Sequence, residues 1–312
     1  PPFSRRRRHT REREWSRGLG DVYKRQGRQI LASTGDPGVT IAEFLEEERF
    51  SKDFAHFYLM PMVSAIWSSG TELVADYPRD PLLRFLDNHG LLQITGQPSW
   101  RTVVGGSHSY IAPLTRPLDD RVHLGKGVER IHRSSDEIEL VLDDGSRHGF
   151  DHVVIAAHAD QALRILAEPT KDEAELLGKW SYSLNETWLH TDTKLMPRRR
   201  AAWASWNYLM SNASQENASL TYHLNRLQGL DEKCEYLVSL NPETEPVPES
   251  VIRQMSYRHP IYTRQSVETQ RELSRINGRN RTHFCGAYFG NGFHEDGLAS
   301  AVAVADDLGV VF

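Results

Sequence analysis

The stretch Arg281–Leu308 constrains the fold of this chain more than any other part of the sequence. A short apolar run, His283–Cys285, meets Gly286, and a loop with two more glycines, Gly290 and Gly292, follows. Apolar residues then recur at helical spacing: Leu298, Ala301, Val302, Ala305 and Leu308. This order predicts a strand, a glycine-rich turn and a helix.

A strand, glycine turn and helix in this order suit ligand binding. Glycine lets the backbone approach a ligand closely, and the start of a helix offers unpaired N–H groups and the positive end of its dipole. Such a site fits a phosphate or the electron-rich edge of a flavin ring. The chemistry at such a site would belong to the cofactor, which the protein positions.

The front of the chain has the character of a sequencing artefact. Asp21–Gln26 is the translation of GAT GTG TAT AAG AGA CAG, a common transposase adapter, and Ser16–Gln26 resembles a longer version of it. Ser4–Arg11 resembles a degraded flow-cell primer. We therefore expect residues 1–26 to be disordered and the native start to be missing. The alternative is a genuine basic arm for nucleic acid.

Composition bounds the class of protein. Residues 27–312 hold 28 Lys and Arg against 39 Asp and Glu residues, a net charge of −11. This charge gives no support to binding of nucleic acid or an anionic membrane. No apolar run approaches the ~20 residues that cross a bilayer. Cys234 and Cys285 are too far apart in sequence to suggest a metal pair or a disulfide framework, so a cytoplasmic location is expected.

The first native part is predicted to be helical, and the middle to contain strands. Thr40–Glu43 is a capping-box pattern. Within 120–165, strands are predicted at Val122 and Leu124, at Gly127–His132, at Ile138–Leu142 before the hairpin turn Asp144-Gly145, and at Phe150–Ala157. The last of these is a continuous apolar run, which fits a strand buried on both faces of a parallel sheet.

Residues 166–270 are predicted to form a second, mixed layer. Antiparallel strands are indicated at Thr187–Thr191, Ala204–Leu209, Leu220–Leu224 and Glu235–Leu240. Trp203 and Trp206 are three positions apart, so in a strand they face opposite sides. At most one of them lines a given pocket.

Several motifs in this order resemble the flavin-containing amine oxidase superfamily. They are Val128–Ile131, Asp151–Ala156 and Gly292–Gly297. More closely, the chain resembles a bacterial branch of predicted FAD-binding oxidoreductases over residues 38–309. Four stretches carry that closer resemblance: Ser99–Gly106, Ala202–Leu209, Thr221–Leu230 and Phe284–Leu298.

The resemblance implies an α/β fold: a Rossmann-like FAD/NAD(P)-binding domain, without its first βαβ unit, interleaved with an α+β substrate domain. The family opens with G-x-G-x-x-G, which this sequence does not contain; Gly18 and Gly20 lack the third glycine. The implied domains are a helical part of the substrate domain at 27–119, a part of the FAD-binding domain at 120–165, the rest of the substrate domain at 166–272, and the closing strand and helix at 273–312.

The resemblance also implies FAD as the cofactor and assigns its contacts. Val128 lies at the adenine end, Ala156 and Ala157 lie near the cofactor, and Gly286 approaches the ribityl-diphosphate. The pyrimidine edge of the flavin is contacted by backbone N–H groups of the loop and helix start: Gly292, Phe293, His294, Glu295 and Asp296. Candidates for the substrate pocket are Trp100, Trp203 and Trp206. No metal is implied, and no catalytic residue is identified.

The implied function is an FAD-dependent oxidoreductase that transfers a hydride from a small or lipid-like substrate to flavin N5. Many family members have an acid directly after the glycine that corresponds to Gly286, where this chain has Ala287, and a lysine near N5, where it offers Asn185, with Lys194 offset. Desaturation or isomerisation of an apolar substrate is therefore as compatible as amine oxidation. The alternative is a non-catalytic lipid- or partner-binding protein. A serine hydrolase is disfavoured, because Gly105–Ser109 ends in serine where the nucleophile elbow has glycine.

Overall fold

The computed structural model describes residues 24, 26–31, 38–68, 71–93, 99, 101–209 and 219–310. The chain forms two compact units, 1–63 with 71–101 and 64–70 with 102–312. This division groups residues by contact and assigns no cofactor or substrate role, so the implied domain boundaries stay a prediction. Trp100 and most of residues 1–26 lie outside the described residues.

The first unit is helical, as predicted. Its helices are α1 (Ile41–Glu47), α2 (Lys52–Phe54), a π-helical turn (Ala55–Leu59), the first half of α3 (Met60–Trp67), α4 (Thr71–Ala75) and α5 (Arg79–Asn88). The predicted capping box begins α1: Thr40 Oγ1 accepts the Glu43 N–H at 3.2 Å, and Glu43 Oε2 accepts the Thr40 N–H at 2.8 Å. The helix therefore begins where its first N–H groups find side-chain acceptors.

Two residues of the stretch predicted to be disordered are ordered. Lys24 and the segment 26–31 are helical. Lys24 Nζ donates to the Gln93 carbonyl at 3.1 Å, and the Gln26 amide donates to Glu48 at 2.9 Å. The expectation of disorder is wrong for Lys24 and Gln26, because these hydrogen bonds tie both residues to the first unit.

The described residues of the second unit form ten strands in three sheets. The strands are β1 (Val128–Arg133), β2 (Ile138–Leu142), β3 (Arg147–Phe150), β4 (Val153–Ile155), β5 (Ser181–His190), β6 (Trp206–Tyr208), β7 (Leu220–His223), β8 (Leu237–Leu240), β9 (Val251–Ile261) and β10 (Thr282–Phe284). The sheet orders are β1-β2-β3, β10-β4 and β6-β7-β8-β5-β9.

Helices precede, connect and follow these strands. They are α6 (Ile111–Thr115), α7 (Ala159–Ile165), α8 (Lys171–Leu177), α9 (Leu224–Gln228), α10 (Arg264–Gln270) and α11 (His294–Asp307), with 3-10 turns at Ser107–Tyr110, Arg116–Arg121, Thr193–Leu195, Arg200–Ala202, Pro248–Ser250, Leu273–Ile276, Arg279–Arg281 and Ala287–Phe289. In the part of the chain that the structure describes, every helix falls short of the length and apolarity needed to cross a bilayer.

The antiparallel sheet β1-β2-β3 confirms the predicted hairpin. The Leu142 N–H donates to the Ser146 carbonyl across the Asp144-Gly145 turn, and Gly145 has φ +81°. The strand predicted at Val122 and Leu124 is wrong. Both side chains are exposed, Leu124 by 88%, and neither lies in a strand, so their spacing reflects no buried face.

The parallel pair of β4 and β10 joins the middle of the chain to its end. Val153, Val154 and Ile155 pair with Thr282, His283 and Phe284. The predicted strand Phe150–Ala157 is too long, because Phe150 belongs to β3 and pairs with Ile138. The prediction that this strand is buried on both faces is also wrong, since Val154 is 43% exposed.

The five-stranded sheet confirms the four predicted strands, with shifted ends, and adds one that was not predicted. Strand β9 lies at the edge of the sheet and pairs with β5 along its whole length. The pairing begins where Ser181 meets Ile261 and ends at a bulge near His190. Since side chains alternate between faces, Trp188 and His190 share one face of β5, and Asn185 and Thr187 share the other.

A buried polar network holds the Trp188 face together. His190 is fully buried; its Nε2 lies 2.8 Å from Ser239 Oγ, and its Nδ1 accepts the Asp192 backbone N–H at 3.1 Å. Because Nδ1 accepts, Nε2 carries the proton and donates to Ser239. The imidazole therefore cannot take a proton from Ser239, and the pair is structural.

His190 is expected to make stability depend on pH. Burial lowers the pKa of His190, against the opposing charge of Asp192. Near the unfolded pKa of about 6.5, His190 binds a proton in the unfolded chain but not in the folded chain. The stability of the folded state therefore falls as the pH drops below about 6.5. In urea titrations between pH 7 and 5, His190→Gln should lose less stability than the wild type. His148→Gln, at an exposed position on β3, is the control and should keep the wild-type slope; equal slopes for all three would contradict this assignment.

Candidate functional site

The site is built where β4 and β10 end side by side. The Cys285 N–H donates to the Ile155 carbonyl, and the next residue, Gly286, has φ +155°. A Cβ on Gly286 would lie 2.8 Å from the Tyr288 ring and 3.5 Å from the Ala157 carbonyl oxygen. The glycine therefore leaves room for the Tyr288 ring to pack against the end of β10, beside the Ala157 carbonyl. Carboxyl ends of parallel strands are where α/β sheets bind ligands.

Helix α11 starts at this turn. Phe293 is its N-cap, and its N–H donates to the Asp296 carboxylate at 2.9 Å. The N–H groups of His294, Glu295 and Asp296 have no acceptor among the described residues. Ser300 on the same helix accepts the Gly286 N–H at 2.9 Å, which ties the helix to the glycine turn. Free N–H groups and the positive dipole end favour negative charge there.

Aromatic residues anchor the glycine turn. The Tyr262 hydroxyl donates to the Gly290 carbonyl at 3.1 Å, and the Trp67 indole N–H donates to the Asn291 carbonyl at 2.9 Å. The Trp180 ring packs edge-on against Tyr262 and Tyr288, at 5.4 and 5.7 Å between centroids. Trp180 and Tyr262 lie next to Ser181 and Ile261, the pair of residues with which the pairing of β5 and β9 begins. This end of the five-stranded sheet therefore packs on the glycine turn.

Two donors in this cluster are unpaired. The Tyr288 hydroxyl and the Trp180 indole N–H are buried, and neither has a hydrogen-bond partner in the described part of the chain. Burial raises the pKa of Tyr288, so the hydroxyl keeps its proton. A buried donor without a partner costs about 1–3 kcal/mol. Each of these two donors therefore needs the acceptor of a ligand or a water, and the Tyr288 ring lies beside Gly286.

A second polar group lies at the end of β4. The His158 ring stacks on Tyr182, with centroids 4.3 Å apart, and the Tyr182 oxygen accepts the Ala159 N–H at 2.9 Å. Arg258 pairs with Asp160 at 3.1 Å and lies over the Tyr182 ring. Burial raises the pKa of Tyr182 to about 12. Burial also lowers the pKa of His158, so that residue is neutral near pH 7.

The structure brings most of the predicted cofactor residues to one place. Ala157, Gly286, Gly292 and the start of α11 surround the turn. Ala156, directly after β4, is exposed. Val128 lies at the start of β1, in a different sheet, where it pairs with Leu142. Which of these residues touch a cofactor stays a prediction.

The predicted strand alternation does not apply to the two tryptophan candidates in the described chain, because Trp203 follows the 3-10 turn Arg200–Ala202 and only Trp206 lies in a strand. Trp206 is in β6, is 43% exposed and packs against Tyr222. Trp203 precedes the strand; its indole N–H donates to the Pro197 carbonyl and its ring packs on His223. Only Trp206 lies on the Asn185 face of the sheet.

Asn185 occupies the position where many relatives have lysine, and its side chain is already engaged. The residue is 2% exposed, and its amide donates to His259 Nδ1 at 2.8 Å. Lys194 is exposed in a 3-10 turn. Sequence reasoning missed His259, Tyr182, Tyr262 and Tyr288, because no motif links residues so distant in sequence.

A family model for flavin-containing amine oxidoreductases matches residues 11–229. The chain belongs to the flavin-containing amine oxidoreductase family. It is an FAD-dependent oxidoreductase, and the family membership predicted from the sequence is confirmed. No curated protein matches the sequence.

Solved structures with the same fold share little sequence with this family member. The CLA-producing fatty acid isomerase from P. acnes is 13% identical with TM-score 0.65, over 94% of this chain and 75% of its own. Putrescine oxidase bound to putrescine is 13% identical with TM-score 0.66, over 95% and 76%. Cyclohexylamine oxidase from Brevibacterium oxydans IH-35A is 13% identical with TM-score 0.56, over 99% and 76%. The predicted α/β fold is confirmed.

The residues of this family member fit the ring end of FAD. Gly286 leaves space for a ligand, because it carries no side chain. Hydrogen bonds for a ligand rich in acceptors are supplied by the free N–H groups of α11 and by the unpaired donors of Tyr288 and Trp180. The 312-residue sequence holds no G-x-G-x-x-G for the diphosphate. The fit is therefore to the flavin ring and not to the whole dinucleotide.

Proposed function

We propose that this chain holds the flavin ring at the glycine turn and removes a hydride from an apolar, lipid-like substrate. The single observation that carries the proposal is the convergence of Gly286, the start of α11 and the β5–β9 end of the sheet. When bound, FAD supplies N5 as the hydride acceptor. The residues of the chain orient the two reactants, which is the main requirement of such a transfer.

The start of α11 has a defined part in this proposal. The N–H groups of His294, Glu295 and Asp296 would face the N1–O2 edge of the ring, where reduction builds negative charge. A helix N-terminus stabilises that charge without reorganising. The side chains of His294 and Glu295 are exposed and have no assigned role in the reaction.

The proposed substrate class follows from two residue types of amine oxidases that this chain lacks, a lysine and an acid. Asn185 replaces the lysine near N5, and Ala287 replaces the acid of many amine oxidases. The fold shared with both a fatty acid isomerase and amine oxidases leaves either substrate open. The chemistry of the residues favours a lipid-like molecule over an amine.

The proposed cofactor contacts predict unusual flavin selectivity. Because no diphosphate fingerprint is present, we expect weak binding, with riboflavin, FMN and FAD differing by only about threefold in Kd. Quenching of flavin fluorescence measures all three. A purified protein that carries stoichiometric FAD, or a large preference for FAD, would contradict this expectation.

The activity itself is tested with saturating FAD under anaerobic conditions. We expect an unsaturated fatty acid to bleach the visible absorbance of the flavin and a primary amine to leave it unchanged. Bleaching by the amine alone would favour amine oxidation. No bleaching by either class would leave the hydride-transfer proposal without support.

A further inference from the structure

One face of the five-stranded sheet carries aromatic and polar side chains. Strand pairing places Trp206, Tyr222, Tyr208, Asn185, Tyr257 and His259 on the same side, called here the aromatic face. Contacts agree with this register: Trp206 packs on Tyr222, and Asn185 bonds to His259 diagonally across the strands. Asn185 is 2% exposed and Tyr257 is 50% exposed, so the half-buried His259 lies where the covered part of the face meets the open part.

The proton position on His259 follows from a chain of hydrogen bonds. The backbone N–H of Glu186 can only donate, and it donates to Asn241 Oδ1 at 2.9 Å. The Asn241 NH2 group therefore points at Asn185 and donates to its Oδ1 at 2.6 Å. The Asn185 NH2 group is left to donate to His259 Nδ1 at 2.8 Å. His259 Nδ1 is thus an acceptor, and the proton of the neutral ring is on Nε2.

His259 is therefore a hydrogen-bond donor held in one orientation. Burial and the nearby His158 lower the pKa of His259, so the ring stays neutral near pH 7. No residue in the described ranges accepts its Nε2 proton. His259 pairs with Ser183, two positions or about 7 Å along the strand from the Ser181 and Ile261 pair at the end of the sheet that packs on the glycine turn. It is also near enough to His158, which follows β4, for that ring to lower its pKa. The donor thus lies within reach of a substrate that extends from the glycine turn.

The charge of the aromatic face excludes a counter-ion for an amine. None of the residues that the five strands place on this side is Asp or Glu, and Arg253 adds a positive charge. A cationic ligand would rely on the aromatic rings alone, whereas a carboxylate would find the His259 donor.

We infer that the aromatic face binds the carboxylate of an apolar substrate through the Nε2 proton of His259, which Asn185 orients. This inference rests on the proposed function and names its substrate class. Asn185 then acts as a positioning residue at the place of the family lysine. The apolar chain of the substrate would lie on Tyr257, two positions from His259 on the same face of β9.

The test needs no flavin. Decanoate and decylamine, both below micelle-forming concentration, are titrated into the 312-residue protein by calorimetry. We expect decanoate to bind about tenfold or more tightly. His259→Phe should remove that advantage and leave decylamine unchanged. His148→Phe, at an exposed position on β3, is the matched control and should bind both probes like the wild type.

A second readout requires no variant. Long-range 1H–15N NMR of the wild type should show His259 protonated at Nε2 only, and its Nε2 signal should move when decanoate is added. Equal affinity for both probes, no binding of decanoate, full decanoate affinity in His259→Phe, or a proton on Nδ1 would each overturn the inference. If decanoate binds as expected but no substrate reduces flavin, the proposed function fails and the carboxylate site stands.

Discussion

Replacing Arg133 with alanine is expected to lower the free energy of unfolding by about 3–5 kcal/mol. Arg133 on β1 contacts both oxygens of Glu173 on α8, at 2.5 and 2.9 Å, and donates to the Glu168 carbonyl at 2.7 Å. The side chains are 6% and 1% exposed. Without the guanidinium, a buried carboxylate keeps only the Thr170 donors and loses its counter-ion.

The pH dependence of that loss has a defined sign. Burial alone would raise the pKa of Glu173, but the hydrogen bonds and charge of Arg133, with the bonds to Thr170, lower it overall. A depressed folded pKa adds stability that is complete above the unfolded value of about 4.3 and disappears as the pH falls through the folded value. The difference between wild type and Arg133→Ala should therefore shrink in acid.

Urea denaturation followed by tryptophan fluorescence measures the effect. Arg264→Ala is the matched control, because it removes an arginine from an exposed pair with Glu268 and should leave the midpoint nearly unchanged. The double variant Arg133→Met, Glu173→Leu should recover most of the loss, since it removes both charges together. An Arg133→Ala protein as stable as Arg264→Ala would show that the buried pair contributes nothing.

Local patterns predicted the elements whose residues carry a clear period. The alternation of Ile138, Leu140 and Leu142 with the Asp144-Gly145 turn indicated β2 and its hairpin, and the apolar spacing after Gly292 indicated α11. Strand β9 was missed because it is an edge strand with polar residues on both faces and Pro260 near its end. Proline is tolerated there only because an edge strand has free N–H positions.

The candidate site was predictable in its backbone and not in its side chains. Glycines near a strand end and a helix start predict a close approach, and Gly286 does lie beside Ala157. The cluster joins Trp180 to Tyr262 and Tyr288, which follow it 82 and 108 positions later, and no local pattern records such a contact. The strand assigned to Ala204–Leu209 begins only at Trp206, because the chain before it turns through Arg200–Ala202.

Gly292→Ala is expected to damage the glycine turn more than its small size suggests. Gly292 has φ +93°, and a Cβ there would lie 2.7 Å from the Tyr262 hydroxyl oxygen. The positive φ alone costs about 1–2 kcal/mol for an alanine. Moving Tyr262 also breaks its bond to the Gly290 carbonyl, and the lost hydrogen bond adds about 0.5–1.5 kcal/mol.

Gly145→Ala separates these two costs. Gly145 has φ +81°, in the β2–β3 turn, and a Cβ there would meet no atom of the described residues within 4 Å. It should therefore lose only the conformational part, about 1–2 kcal/mol. Urea midpoints give both losses, and flavin quenching shows whether the turn still holds its ligand. Because Tyr262 also anchors the β5–β9 end of the sheet to the turn, Gly292→Ala should weaken flavin binding while Gly145→Ala should not. Equal losses in the two variants would mean that Tyr262 moves aside freely and that the turn does not depend on its anchor.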